Sequence, residues 1–341
     1  MTSRWKVAAL GSAIAAMTLA GCGGGSSSGS GDSAKAVSVV GFSVLEQPNK
    51  QVIADFEKTS DGKGAEFKQS YGASGDQARA VIAGQKADVV HLSLEPDVQK
   101  LVDAKLVSPD WNKTASKGIL TQSVVVIGVR PGNPKGIKGW DDLIKPGVKI
   151  VTPNPASSGS AKWNILAAYG HVLANGGTDA QAKAYLTKFF GNVASLPGSG
   201  RDATTAFLGG TGDVLLSYED EAILARQSGS KLDYIVPDQT LLIQNPGAVT
   251  TKASAEGKKF LTYLTSKPAQ TDYAKDGFRP LQSDIKVDVK GANDPSNPFP
   301  APQKLMTIDK TFGGWSSAND KFFDEDKGVV TLIQKATGKT G

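Results

Sequence analysis

The longest β-branched run of the chain is SVVVIGV, from Ser123 to Val129. A continuous run of Val and Ile is typical of a strand that is buried on both faces, in the middle of a parallel sheet. Shorter strand-like runs lie on both sides of it, and stretches with helical periodicity separate them. This alternation predicts an α/β protein with mainly parallel sheets. Further strands are predicted at 37–42, 88–92, 149–152, 213–218, 234–237 and 240–243, and helices at 50–58, 258–265 and in a segment ending at 84.

Length and composition restrict the class of protein. The chain has 341 residues, of which 39% are hydrophobic and 21% charged. This composition supports a buried core and excludes a polytopic membrane protein and a mostly disordered chain. The length suggests two domains of roughly 150 residues each. The net charge of +5 is spread over the whole chain, with no basic run interleaved with aromatics, so the sequence gives little support to nucleic-acid binding.

The N-terminus is typical of an exported lipoprotein. Arg4 and Lys6 precede an apolar run that reaches Ala20 and has the length of a signal peptide rather than of a membrane span. The run ends in LAGC, which resembles a lipobox and implies cleavage after residue 21 and acylation of the Cys22 thiol. The Gly- and Ser-rich segment that follows, up to residue 35, predicts a flexible tether. A lone cysteine forms no internal disulfide, which fits acylation.

Three segments rich in serine and glycine begin predicted helices. They are YGASGDQAR at 71–79, NPASSGSAKWN at 154–164 and PGSGRDATTAF at 197–207. The first amides of a helix have no partner within the helix and carry partial positive charge, so each segment can bind an anion. The hydroxyls of Ser74, Ser158 and Ser160 can add donors. Each segment follows a predicted strand, at the edge of an α/β sheet where ligands collect.

Other interpretations of these segments stay open. The third one also matches Gly-x-Gly-x-x-Ala at Gly198, Gly200 and Ala203, with Glu219 nearly twenty residues further on, so a dinucleotide site is formally allowed. Carboxylates at predicted helix starts are expected to interact with the helix dipole rather than to catalyse a reaction. They are Asp76, Glu219, Asp220 and Glu221. The two histidines, His91 and His171, are assigned no role.

Taken together, these segments resemble the sulfate- and thiosulfate-binding proteins of bacterial ABC importers. The resemblance covers about residues 37–332 and includes SYGASG at 70–75, VRPGNPKGI at 129–137, WDDL at 140–143 and IDKTFGGW at 308–315. It implies a two-lobed periplasmic-binding-protein fold of type II, with the ligand in the cleft. Two crossings are expected between the lobes, at 123–129 and 240–248. One lobe would contain 36–122 and 247–341, and the other 123–246.

The resemblance also implies a function and a site. The protein would be a monomeric binding protein without cofactor or catalytic activity, which delivers sulfate or thiosulfate to an ABC permease and its ATPase subunits. Arg201 would support the site from behind. Tyr218 stands where the family has a tryptophan donor, and Ser43 lies in the segment that replaces an acidic family motif. The implied donors are the amides of Ser74, Ser158, Gly159, Ser160 and Gly200, and the hydroxyl of Ser158.

Two alternatives remain at this point. One is a binding protein for another oxyanion, such as molybdate or phosphate. The other is an enzyme that acts on a phosphorylated or sulfated compound, which would need a general base or a metal cluster facing the cleft.

We predict that Cys22→Ala releases the protein from the membrane or mislocalises it, because the variant has no thiol to acylate. Acyl chains contribute about 0.8 kcal/mol per buried methylene, so their loss removes most of the membrane affinity. Fractionation of cells that express wild type and variant measures the difference. Equal retention of both in the membrane fraction would contradict the lipoprotein interpretation.

Overall fold

The computed structural model describes residues 35–340. Cys22, the predicted signal peptide and the tether before Lys35 lie outside the described residues. Ten strands are present in this part of the chain: β1 Ala36–Phe42, β2 Glu66–Gly72, β3 Val89–His91, β4 Ile119–Val129, β5 Ile150–Val151, β6 Val193–Ser195, β7 Val214–Tyr218, β8 Asp233–Ile235, β9 Gln239–Val249 and β10 Lys304–Met306.

Helices alternate with these strands, as the sequence pattern predicted. The α-helices of the described residues are α1 Pro48–Glu57, α2 Ser74–Ile82, α3 Glu95–Asp103, α4 Gly159–Ala174, α5 Asp179–Asn192, α6 Gly200–Leu208, α7 Glu219–Gln227, α8 Ala255–Leu264, α9 Lys267–Lys275, α10 Ile308–Phe312, α11 Gly314–Ala318 and α12 Val329–Thr337. Short 3₁₀ turns at Ser43–Glu46 and Trp140–Ile144 and a π-helical turn at Asn319–Phe323 complete them.

The strands form a mixed sheet with two parallel groups. The strand order is β2-β1-β3-β9-β4-β7-β5-β6, with β10 beside β9 and β8 beside β4. In the first group β1 is parallel to β2 and β3. In the second group β5 is parallel to β6 and β7. The two groups are the sheet cores of a two-lobed binding-protein fold.

Two long strands join the groups. Residues 119–124 of β4 pair antiparallel with residues 242–246 of β9. Beyond this shared ladder, residues 125–129 of β4 pair with β7, while residues 247–249 of β9 pair with β3. Each strand therefore belongs to both groups, and β4 and β9 are the two connections that the resemblance implied.

The neighbours of β4 differ from the sequence-based prediction. Its partners β7, β8 and β9 all run antiparallel to it, although the run was predicted to lie centrally in a parallel sheet. The strand is buried on both faces, with Val125 and Ile127 in one hydrophobic cluster and Val124 and Val126 in another. The apolar run indicates two-sided burial correctly, but burial is the same for either strand direction, so the run cannot specify it.

The C-terminal segment, which follows Arg279, packs on helix α4. Strand β10 pairs with residues 239–241 of β9. The Trp315 ring lies 4.7 Å from Trp163, and the Phe322 ring lies 4.7 Å from Tyr169. This packing joins the segment to the half of the molecule that contains 123–246. The sequence analysis expected all of 247–341 to belong with 36–122, and the division of the chain into lobes stays a prediction.

The first parallel group places the carboxyl ends of its three strands at one edge of the sheet. The register pairs Phe42 with Gly72 and Gly41 with His91, so β1, β2 and β3 end close together. The residues that follow these strands begin the turn at Ser43 and helix α2, or lead into α3. Because ligands of α/β sheets bind outside the carboxyl ends of the strands, this edge is where a site is expected.

Candidate functional site

The N-termini of helices α2, α4 and α6 meet at this edge. The Gly75 amide of α2 donates a hydrogen bond to the carbonyl oxygen of Ser157, before α4, at 3.1 Å. The Ser157 hydroxyl in turn donates to the carbonyl oxygen of Gly198, before α6, at 2.7 Å. The three predicted helix starts are therefore neighbours in space. Their partial positive charges combine to favour one anion between them.

Four of the amides that the resemblance implies as donors have no partner among residues 35–340. They belong to Ser74, Gly159, Ser160 and Gly200, each in the first turn of its helix, where no intrahelical acceptor exists. All four residues are buried. Buried N–H groups in native proteins are almost always paired. The arrangement therefore has the donors that a buried oxyanion requires.

Two of these positions depend on the absence of a side chain. A Cβ atom on Gly159 would lie 2.6 Å from the Ser93 hydroxyl oxygen, closer than real Cβ contacts occur. A Cβ on Gly200 would lie 3.2 Å from the hydroxyl oxygen of Ser160, which the sequence analysis placed in the same site. Glycine thus allows the starts of α4 and α6 to pack this closely against their neighbours.

The structure reassigns two of the predicted donor groups. The Ser74 hydroxyl donates to Asp97 Oδ2 at 2.7 Å and accepts the Ser93 amide at 3.0 Å, so it is not available as a donor in the site. The Ser158 amide donates to the Asn154 carbonyl oxygen at 2.8 Å and closes a turn before α4. Ser74 therefore retains its amide for a ligand, and Ser158 retains its hydroxyl.

The hydroxyls of Ser158 and Ser160 differ from that of Ser74. Within residues 35–340 neither of them forms a hydrogen bond. Ser158 is 3% exposed and Ser160 is 5% exposed, and both hydroxyl oxygens keep some accessible surface, so a small molecule can reach them. Together with the four amides, these hydroxyls form a set of six neutral donors at the helix starts, which we call the donor cluster.

Tyr218 and Ser43 lie beside the donor cluster but have protein partners. The Tyr218 hydroxyl is 2.6 Å from the Ser93 hydroxyl. Burial raises the pKa of the Tyr218 phenol far above its ordinary value, so the phenol keeps its proton. The Ser43 hydroxyl accepts the backbone N–H of Arg201 at 3.4 Å, which brings the turn after β1 against the start of α6.

The Arg201 side chain, at the start of α6, is neutralised by a carboxylate. The Arg201 guanidinium holds both carboxylate oxygens of Glu221, with Nε 2.8 Å from Oε1 and Nη2 2.9 Å from Oε2. The same Nη2 reaches the Val44 carbonyl oxygen at 3.5 Å. Glu221 is 2% exposed, so its charge is held against the guanidinium rather than in water. Arg201 therefore links α6 to the turn after β1, and its supporting role stays a prediction.

Two of the three acids at the start of α7 form ion pairs, which the helix-dipole interpretation did not predict. Glu219 pairs with Arg279, with Nε 2.7 Å from Oε2 and Nη2 3.1 Å from Oε1. Asp220 is fully buried, and neither of its carboxyl oxygens has a partner among the described residues. Burial raises the pKa of Asp220 well above its usual range, with the Glu221 and Glu219 charges adding to the effect. A buried carboxyl in this state is expected to be neutral.

Sequence reasoning missed Ser93. This residue follows β3, and it is 1% exposed. Its carbonyl oxygen accepts hydrogen bonds from Trp163 Nε1 at 2.9 Å and from Asn245 Nδ2 at 3.2 Å. The Asn245 amide oxygen accepts from the Thr121 hydroxyl at 3.2 Å. Thr121 lies in β4 and Asn245 in β9, so both connecting strands support Ser93. The available signal was its position directly after a predicted buried strand.

Residues 35–340 lack two further features that would indicate another function. This part of the chain contains no group of three His, Cys, Asp or Glu side chains that could hold a metal ion. It also contains no helix of sufficient length and apolar character to cross a membrane.

Comparisons with known proteins give a consistent result. Residues 37–279 match the family described as bacterial extracellular solute-binding protein. The chain is 42% identical to a sulfate-binding protein of Synechococcus elongatus over 333 residues, which cover 94% of this chain and 93% of that protein. It is 34% identical to a thiosulfate-binding protein of Pseudomonas aeruginosa over 308 residues, 86% of this chain and 90% of the relative.

A solved structure agrees with these sequence matches. The sulfate-binding protein SubI from Mycobacterium tuberculosis superposes with a TM-score of 0.80 at 40% identity, covering 85% of this chain and all of the other. At this identity and coverage the likeness extends beyond the fold to the sequence.

We predict that Asp220→Asn stabilises the protein at neutral pH. The folded pKa of Asp220 lies above its unfolded value of 3.8, so folding retains a proton that the unfolded chain releases. Above about pH 4 the wild type therefore loses up to about 1.4 kcal/mol of stability per pH unit relative to the variant, until the folded pKa is passed. Urea unfolding at pH 4 and pH 7 measures this difference.

The exposed Asp326→Asn is the matched control for Asp220→Asn, because it removes the same charge at the surface. It should shift stability by less than about 0.5 kcal/mol at both pH values. A gain for Asp220→Asn that is equal at pH 4 and pH 7 would show that the buried carboxyl is not kept protonated by the fold.

Proposed function

Because the chain belongs to the family of bacterial extracellular solute-binding proteins, we propose that it captures sulfate, or the related thiosulfate, outside the cytoplasm and delivers it to the permease of an ABC importer. The donor cluster is the observation that carries this proposal. It offers N–H and O–H groups from three helix starts, and the guanidinium of Arg201 beside it is already paired with a carboxylate. The names of the two relatives and of the solved structure described above support the same ligand class.

The chemistry of sulfate matches a cluster made of donors. A fully ionised sulfate accepts hydrogen bonds at four oxygens and has no proton to donate. Donors fixed at helix N-termini stabilise this charge without a cation, because their dipoles are already oriented when the anion arrives. Hydrogen bonds to a charged group contribute about 1.5–3 kcal/mol each. Several of them acting together account for tight binding of a buried dianion.

The position of the cluster supports capture by closure of the two lobes. The Gly75–Ser157 and Arg201–Ser43 hydrogen bonds connect elements from 36–122 with elements from 123–246. We assign residues 36–122 and the stretch from 247 to about Arg279 to one lobe. Residues 123–246 and the C-terminal segment belong to the other. Opening at β4 and β9 would separate the helix starts, and hinge closure would bring them back around the ligand.

An enzymatic role receives less support than binding. The carboxylates of Glu219 and Glu221 are held by arginines, and Asp220 is expected to be neutral, so none of them is placed as a free general base. The relatives named above are binding proteins.

At the cell surface, an acylated Cys22 would keep the monomer close to its membrane permease, and the tether would let the folded part reach it.

We predict that Ser158→Ala lowers sulfate affinity by roughly 10- to 150-fold, because it removes a hydroxyl donor to a buried dianion. Ser74→Ala should lower affinity less but stability more, since the Ser74 hydroxyl bonds Asp97 and Ser93 rather than the ligand. Isothermal titration with sulfate and thermal unfolding of the free proteins separate the two effects. Unchanged affinity in both variants would mean that the ligand binds elsewhere.

We also predict strong selection of sulfate over phosphate. Phosphate near neutral pH carries a proton that needs an acceptor, and an unsatisfied buried donor costs about 1–3 kcal/mol. Sulfate affinity should be nearly constant between about pH 5 and 7. Burial lowers the pKa of His91 to about 3, and burial lowers that of Lys162, in helix α4, to about 8, so both values lie outside this range.

Titration of both anions across this pH range measures the selectivity and its pH dependence. Phosphate binding as tight as sulfate binding would require a hydrogen-bond acceptor in the site. A collapse of sulfate affinity near pH 6 would require an ionisable group in contact with the ligand. Either result would contradict a site made only of neutral donors.

A further inference from the structure

Ser93 lies between two of the helix starts that form the donor cluster. Its backbone N–H donates to the Ser74 hydroxyl at 3.0 Å, which fixes it against the start of α2. Its own hydroxyl oxygen lies so close to Gly159 that a Cβ there would be 2.6 Å away. The Ser93 hydroxyl is therefore next to the residue whose unpaired amide opens helix α4.

The backbone of Ser93 is fully engaged and cannot move to other partners. Its N–H group is bonded to Ser74, and its carbonyl oxygen accepts from both Trp163 and Asn245. These bonds come from α2, α4 and β9, so three separate elements fix the position of one residue. Only the hydroxyl of Ser93 is left to interact with a ligand.

Counting hydrogens shows what this hydroxyl can do. The oxygens of Ser93 and Tyr218 are 2.6 Å apart, and either can be the donor. The pair carries two hydrogens, of which one lies between the oxygens and one remains free. Both residues are 1% exposed, so the free hydrogen has no bulk water to bond. A buried O–H without an acceptor is unfavourable, and an oxyanion beside Gly159 would provide that acceptor.

We propose that the Ser93 hydroxyl donates directly to the bound oxyanion and that Tyr218 acts through it. In this arrangement the Tyr218 phenol donates to Ser93 Oγ, and the Ser93 hydrogen points to the ligand. Two considerations favour this direction. Ser93 is the member of the pair that touches Gly159. A hydroxyl that accepts a hydrogen bond becomes a stronger donor.

The same arrangement would make Ser93 a specificity residue. A serine hydroxyl is able to donate or to accept. To accept a hydrogen bond from hydrogenphosphate, Ser93 would have to turn its own hydrogen away from the ligand and toward Tyr218. The phenol hydrogen would then lose its acceptor. Tyr218 therefore keeps Ser93 in the donor orientation, which suits sulfate and disfavours a protonated anion. This inference rests on the proposed oxyanion-binding function and adds a contact to the donor cluster.

The test uses isothermal titration of sulfate and phosphate into wild type, Ser93→Ala, Tyr218→Phe and the double variant. We expect Ser93→Ala to weaken sulfate binding at least tenfold and Tyr218→Phe to weaken it less. The double variant should bind sulfate about as Ser93→Ala does, because the phenol acts through the serine. Tyr218→Phe should also reduce the ratio of sulfate to phosphate affinity, because Ser93 then loses the partner that fixes its orientation.

Ser254→Ala is the matched control. Ser254 caps helix α8, since its hydroxyl oxygen accepts a hydrogen bond from the Gly257 amide, and this cap is outside the donor cluster. Its loss should lower the melting temperature without changing sulfate affinity, which separates destabilisation from loss of a contact. If Ser93→Ala does not fold, Ser93→Cys keeps the side-chain shape and replaces the hydroxyl with a weak donor. Under reducing conditions it should also weaken sulfate binding several-fold.

Three results would overturn the inference. Sulfate affinity of Ser93→Ala or Ser93→Cys within twofold of wild type would remove Ser93 from the site. A larger loss for Tyr218→Phe than for Ser93→Ala would assign the direct contact to the phenol. Additive losses in the double variant would show two independent contacts. If wild type itself binds neither sulfate nor thiosulfate, the proposed function fails, whereas wild-type binding with an unaffected Ser93→Ala overturns only the role of Ser93.

Discussion

Unpaired amides at three adjoining helix N-termini are the constraint on which this molecule depends. Each helix leaves its first N–H groups without an intrahelical acceptor, and in most proteins water or a capping side chain satisfies them. Here the amides of Gly159, Ser160 and Gly200 are buried and have no partner in the described part of the chain. Three neighbouring helix N-termini with unpaired amides repel one another unless a negative charge lies between them. This arrangement favours an anion at the helix starts.

The two connecting strands position the donors that come from different halves of the molecule. Thr121 in β4 and Asn245 in β9 are hydrogen-bonded to each other, and Asn245 also holds the Ser93 carbonyl oxygen. Both side chains are almost fully buried. The strands through which the lobes would bend therefore also support the base of the site. A change in strand geometry would move Ser93 relative to helix α4, which couples lobe closure to the geometry of binding.

Two arginines near the site are paired with carboxylates. Arg201 is bound to Glu221, and Arg279 to Glu219. Breaking such a buried pair by removing one partner costs about 3–5 kcal/mol, because the other charge is left uncompensated. These pairs fix the start of α7 and the turn after β1, and they leave the anion to neutral donors. Binding by neutral, oriented groups does not depend on the protonation of a side chain at ordinary pH.

The sequence by itself determined the features that local patterns encode. The apolar runs placed strands β1, β4 and β7, and the serine- and glycine-rich segments placed the starts of α2, α4 and α6. These predictions succeeded because hydrophobic periodicity and helix N-terminal composition act over a few residues. Motif resemblance added the two-lobed fold and both connecting strands, which no local pattern could specify.

Only the tertiary structure decided which groups remain free to bind. The Ser74 hydroxyl is taken by Asp97, twenty-three residues away, and the Ser93 hydroxyl meets Tyr218 across 125 residues of chain. The antiparallel neighbours of β4 and the packing of the C-terminal segment on α4 are likewise contacts between distant parts of the chain. A residue's type fixes how many hydrogen bonds it can form, but its partners depend on which distant residues folding brings within about 3 Å. The sequence alone therefore determined the supply of donors, and tertiary packing determined which of them face the ligand.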